Sequence, residues 1–283
     1  MTAVATDLAR QTASEFAKVL SLRSWWLLGL VLVVYIAVTA GGLAFFLSDG
    51  GAQLGGSGAP ALDPVVSATL VYSSVTAVGL VIPLLFGALL ATTEYRHRTL
   101  TPTVLAQPRR GVVLAAKAVV ALVMGALYGV IGLIGSVGVG APVLEALGES
   151  SALDEPEVIG LLLRTLLATA LWSLLGLGLG ALLTSQIAAI VVVLAFTQFV
   201  EPILRILAGA WETTAAIGRF LPGAATDALV GAGILSSLGS IDPTVPQAAT
   251  DALLWWQGGL VLAGLAAVLL VAAALTTLRR DVE

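Results

Sequence analysis

Residues 94–117, EYRHRTLTPTVLAQPRRGVVLAAK, interrupt a chain that is otherwise close to oil. They hold Arg96, Arg98, Arg109, Arg110 and Lys117, five of the 13 basic residues, together with the single histidine, His97. Long apolar runs flank them, Pro64 to Thr92 before and Val112 to Val143 after. A helix that crosses a bilayer needs ~20 mainly apolar residues, because lipid offers its backbone no hydrogen-bond partner. The segment therefore reads as a polar connection between two membrane crossings, and the fold follows from finding the others.

Four more runs qualify, so the expected spans are 25–46, 64–92, 112–143, 158–183, 187–207 and 252–278. The expectation is an all-α integral membrane protein, with 1–283 forming a single transmembrane domain. Composition agrees: 58% of residues are hydrophobic and 11% charged, where a soluble domain has ~25% charged. Pro83 in the second span and Pro202 in the fifth each remove a backbone donor, which predicts a kink or break.

Lys and Arg accumulate on the cytoplasmic side of membrane proteins. With the N-terminus inside, that side carries Arg10, Lys18, Arg23, the five residues of the opening stretch, Arg279 and Arg280. Arg164, Arg205 and Arg219 are the remainder, and the other side is acidic. Both termini are thus expected in the cytoplasm. The first apolar run, ~22 residues, exceeds a signal-peptide core. The residues before it read as an interfacial helix over 1–24. Thr12 to Glu15 fits a capping box, Phe16, Val19 and Leu20 share the apolar face, and Glu15, Lys18 and Arg23 lie outside it. Residues 208–251 are too apolar for a free loop and predict short outer helices, interfacial or re-entrant, broken at Pro222-Gly223.

Several chemistries are excluded. A net charge of −4 without a large basic face argues against nucleic acid. With no cysteine and one histidine, no metal site is expected. Neither Lys18-Val19 nor Lys117-Ala118 continues a phosphate-binding loop, so the chain cannot hydrolyse ATP by that route. Ser136 reads as a packing residue rather than a nucleophile, since His97 lies in the inner connection. Gly132, Gly135, Gly138, Gly176 and Gly180 read as points of close helix approach. Three charges fall in or near the spans at the outer end: Arg164, Glu201 and Arg205. They serve either as an ion pair of Glu201 with one of the arginines, pinning helices, or as part of a substrate path.

Thr101-Pro102 predicts an N-cap with proline at the first helical position, giving a short cytoplasmic helix to about Gln107. Pro108-Arg109-Arg110-Gly111 then turns the chain into the third span. TTEYRHRTLTPTVLAQPRRGVVLAAK resembles the inner-loop signature of ABC-2-type permeases, the membrane subunits of type-2 ABC exporters: Glu-(Tyr/Phe)-Arg, then Thr, then Pro-x-Arg and a Lys. LRSWW, RFLPGAA and TTLRRDV match that family's layout, so the resemblance extends along the whole chain, although Arg98 stands where relatives commonly carry Gly.

The resemblance implies a permease subunit in the plasma membrane, with an N-terminal elbow helix and a coupling segment over 94–111. Glu94, Tyr95, Arg96, Thr101, Pro102, Val104, Leu105, Pro108 and Arg109 would couple it to the ATPase, Glu94 as anchor. Partners would be two copies of an ATPase subunit holding ATP and Mg, and a second copy of this chain or a related permease, amid membrane lipid. No cofactor is expected in this chain. The cargo would be apolar or amphipathic (a drug, antibiotic or lipid), as in multidrug or antibiotic resistance. The alternatives are a secondary transporter or channel, and, for the arginines, a role as membrane anchors alone.

Overall fold

All six apolar runs are helical in the computed structural model, which describes residues 2–48, 63–96, 109–183, 185–210, 216–232 and 253–276. The helices are α1 (Thr2–Ser21), α2 (Ser24–Leu47), α3 (Pro64–Tyr72), α4 (Ser74–Val78), α5 (Val81–Arg96) and α6 (Arg110–Ala146), followed by α7 (Pro156–Leu182), α8 (Gln186–Ala195), α9 (Glu201–Ala210), α10 (Pro222–Val230) and α11 (Trp255–Leu275). No strand occurs among the described residues. Six stretches are long and apolar enough to cross a membrane: α2, then α3–α5 together, α6, α7, α8–α9 together, and α11. This is the architecture of a multi-pass membrane protein.

The two spans with prolines are interrupted, each in its own way. Pro83 has no N–H for the carbonyl one turn earlier, and the second span breaks there, at Gly79-Leu80 between α4 and α5. Ahead of Pro202 the fifth span widens into a π-helical turn, Phe196–Val200, and resumes as α9. An inserted residue of this kind lets a helix continue past a missing donor.

Spans 2 and 4 form the centre, with 67% and 56% of their apolar windows buried, whereas span 5 has only 17% buried. Glycine explains how the central pair comes so close. A Cβ on Gly87 of α5 would strike the Ser173 carbonyl of α7, and one on Gly176 or Gly180 would strike Leu84 or Ala88 of α5. Gly125 and Gly129 of α6 face Thr169 and Ala170 of α7 in the same manner, and Gly178 of α7 faces Leu269 of α11. Gly132 and Gly135 sit against Val75 and Val33 as expected, but a Cβ at Gly138 would meet nothing within 4 Å. Ser136 is fully buried, its hydroxyl directed at the Leu133 carbonyl at 3.5 Å, and packs as expected.

Helix α1 departs from its expected form. It begins at Thr2, so Thr12 lies mid-helix and caps nothing. Its buried positions are Glu15 and Val19, while Leu20 is 54% exposed. The inward stripe is thus rotated from the apolar face drawn from the sequence, and Glu15 lies at its centre. Both α1 and α2 run parallel to α6 in one register: Glu15 meets Lys117, and Trp25 meets Tyr128, at separations of 102 and 103 residues. At 1.5 Å per residue, α6 is about 55 Å long, well beyond a ~30 Å hydrocarbon layer.

Candidate functional site

Four charged side chains meet where α1, the end of α5 and the start of α6 converge. The Lys117 ammonium lies 2.7 Å from the Glu15 carboxylate and 3.0 Å from that of Glu94. Lys18 closes the group, 2.6 Å from Glu15 and 3.2 Å from Glu94. Lys117 also donates to the Leu90 carbonyl at 3.4 Å, and Gln11 donates to Glu15 at 3.1 Å. Two acids and two bases sum to zero, which lets three of them be buried: side-chain exposure is 1% at Glu15, 8% at Glu94 and 7% at Lys117. Burial works to raise the Glu15 carboxyl, yet Lys117 and Lys18 outweigh it and hold that group below the ordinary glutamate range. Burial likewise works to lower Lys18, and Glu15 with Glu94 raises it above the usual lysine value.

Glu94, which the family resemblance gave as an anchor, is buried, and its partners lie far from it along the chain. The partners close in sequence would be a neighbouring arginine or backbone donors at the start of the following helix; the lysines that meet Glu94 come instead from α1 and from the eighth residue of α6. The reason is geometric. Arg96 lies past the turn that faces α1 and donates instead to Gln186 at the start of α8, at 3.1 Å. Arg109 reaches Asp7 at 3.5 Å across a solvent-exposed gap. Of the remaining coupling residues, Thr101, Pro102, Val104, Leu105 and Pro108 lie outside the described residues, as does the Tyr95 side chain.

A second cluster occupies the far end of the bundle. Helix α10 docks on α7 and α11, burying Ala225, Thr226, Leu229 and Val230. Trp172 of α7 donates to the Thr226 hydroxyl at 2.7 Å. Gly258 permits the approach, since a Cβ there would strike the Ala225 carbonyl. The expected pairing of Glu201 with Arg205 or Arg164 does not form. Arg205 instead bonds Asp227 of α10, Glu201 accepts the Gly223 N–H at the first turn of α10, and Arg164 lies over the Trp255 ring, 5.1 Å from its centroid. A helix N-terminus is a good place for a carboxylate, so Glu201 chose backbone over arginine. Asp227 carried no signal in the sequence that would have marked it.

No protein-family model matches this chain and no curated protein is similar to it. Its function must be argued from the two clusters. Among the described residues no group of acids and histidines could hold a metal ion. What the first cluster can do is mechanical, because it ties together the helices at both ends of the connection 97–108. The second cluster lines an open cleft of about 280 Å³ between spans 2 and 5.

Proposed function

We propose that this chain is the membrane subunit of an ATP-driven exporter of the type-2 ABC kind, moving an apolar or amphipathic substrate out of the cell. The observation that carries the reading is the lysine–glutamate cluster. Helix α5 ends at Arg96 and α6 begins at Arg110, so any push on residues 97–108 arrives at Glu94 on one side and Lys117 on the other. Both are held by Glu15 and Lys18 of α1. A partner pressing on this connection would move spans 1, 2 and 3 together.

In this reading residues 94–111 contain the coupling helix, α1 takes the place of the elbow but stands alongside the first turns of α6 rather than lying on the membrane, and both termini are cytoplasmic in the plasma membrane. Two ATPase subunits bind ATP and Mg, and a second permease copy completes the pathway. Ten of the 13 basic residues on one side support the orientation, and the missing phosphate loop supports a separate ATPase. The test is reconstitution. The purified chain should not hydrolyse ATP, whereas with a partner ATPase subunit vesicles should accumulate substrate on adding ATP. Robust hydrolysis by the isolated chain would sink the proposal.

The second reading, a secondary transporter, is favoured by one observation: both interrupted spans border the outer cleft, as discontinuous helices do around transported ions and solutes. It predicts uptake driven by an ion gradient in vesicles that contain this chain alone.

A further inference from the structure

The outer cleft contains an imbalance of charge that the protein itself does not correct. Its polar lining includes Glu201, Asp227, Arg205 and Gln198, and its apolar lining Leu80 and Trp172. Among the described residues Arg205 is the single cation for two carboxylates: it bonds Asp227 directly, and its charge also acts on Glu201 without a direct bond. Glu201 is 6% exposed, and among the described residues it makes no ion pair and accepts only the Gly223 N–H. No countercharge is available from the rest of this end of the chain. Residues 49–62, 211–215 and 233–252 contain no Lys, Arg or His. The two further cations here, Arg164 and Arg219, lie over the rings of Trp255 and Phe220.

Two buried carboxylates that share one cation leave a negative charge in excess, which is costly. A ligand that brings the missing charge removes that cost, and the cleft is shaped for one. It opens where both neighbouring spans are interrupted, at Gly79-Leu80 and at Phe196–Val200. Trp172 adds an aromatic wall whose indole is held by its bond to Thr226, and aromatic faces attract organic cations. A divalent metal fits poorly, since it wants six or more oxygens and the described residues hold no cluster of acids and histidines. An anion would meet a net negative charge.

We propose that this cleft binds an organic ammonium ion carrying an apolar body, with the cation at Glu201 and the body against Leu80 and Trp172. This names the substrate class of the exporter proposed above and rests on that reading for its direction, though not for binding itself. The acidic outer side, which includes Glu145, Glu149, Asp154, Glu155 and Glu157 against few arginines, gives a field that favours cations at that end.

The test uses the full chain alone in lipid nanodiscs, with radiolabelled benzyltrimethylammonium as probe. Its competitors are neopentylbenzene, the uncharged molecule of the same shape, and phenylmethanesulfonate, an anion of similar size. Expected is saturable binding displaced by unlabelled cation and by neither competitor. Glu201→Gln should weaken it about tenfold or more, the scale of a lost charge-assisted contact, while Glu201→Asp keeps most of it. Ala77→Trp, at an exposed position on the cleft rim, should block binding with every charge intact, which covers the case that Glu201→Gln does not fold. Absence of saturable binding to the wild type, equal competition by neopentylbenzene, or full binding to either Glu201→Gln or Ala77→Trp overturns the inference. Binding without ATP-driven export would count against the exporter and leave the cleft assignment standing. ATP-driven export of another substrate without cation binding would do the reverse.

Discussion

Replacing Glu94 by Gln keeps the shape of the side chain and removes one charge from a group of four. Glu15, Lys18 and Lys117 remain, with a net charge of +1, and both Glu15 and Lys117 are almost wholly out of water. Removing one member of a buried ion pair costs about 3–5 kcal/mol. The lower end applies here, because Lys18 is 43% exposed and can turn to solvent, and the amide oxygen can still accept from one lysine. At roughly 2–4 °C per kcal/mol for a chain of this order, about 3 kcal/mol lowers the thermal midpoint by about 6–12 °C. Arg96→Gln provides the comparison: its exposed bond to Gln186 is worth at most ~1 kcal/mol, so the midpoint should fall by less than about 4 °C. The assay is intrinsic tryptophan fluorescence of the purified full chain in identical nanodiscs. Below both midpoints, in complex with the ATPase, Glu94→Gln should keep most ATP hydrolysis and lose transport. Equal midpoints for Glu94→Gln and Arg96→Gln would refute the buried cluster, and wild-type transport by Glu94→Gln would refute its coupling role.

Acid should weaken the same cluster in a definite window. The folded-state pKa of Glu15 is depressed, so its contribution is complete above the ordinary glutamate range and is lost as pH falls from there through the folded value; the thermal midpoint should drop on that limb, and less so in Glu15→Gln. Gly176→Ala would drive a Cβ into the Leu84 carbonyl, whereas Gly138→Ala meets nothing within 4 Å; the first should cost about 1–3 kcal/mol or more and the second nothing, read as yield of monodisperse protein. Cysteine at Ser151 should react with an impermeant reagent from outside intact cells, and cysteine at Thr103 should not, the native chain having no cysteine to remove. Labelling at Thr103 would reverse the assigned orientation.

The spans were legible because lipid imposes a length and a composition on any helix within it, and 187–207, for instance, returns as Gln186–Ala208. Pro83 and Pro202 marked the interruptions for the same local reason, a missing N–H, although nothing in the residues told a break from a π-helical turn. The partners of charged groups were not legible. Glu94 bonds Lys18 across 76 positions, and Lys117 reaches Glu15 across 102, so both depend on how helices are placed beside one another. Arg96 and Arg109, much nearer to Glu94 in the chain, bond Gln186 and Asp7 instead. The rotated face of α1 was misread for a related reason: Glu15 counts as polar surface until Lys117 arrives to neutralise it.

The shared register of α1 and α2 along α6 limits how the protein can move. Sliding α6 along its axis by one residue would part Lys117 from Glu15, pull the Tyr128 hydroxyl from the Trp25 carbonyl, where it now donates at 3.0 Å, and carry Gly135 off the Val33 backbone it rests against. Those three fastenings are spread along about half of the helix, from Lys117 to Gly135, so an axial shift must release all of them together, whereas a tilt of the three helices as one piece releases none. Motion that begins at the inner end therefore reaches the far end as rotation of a stiff beam, with its displacement growing with distance from the pivot.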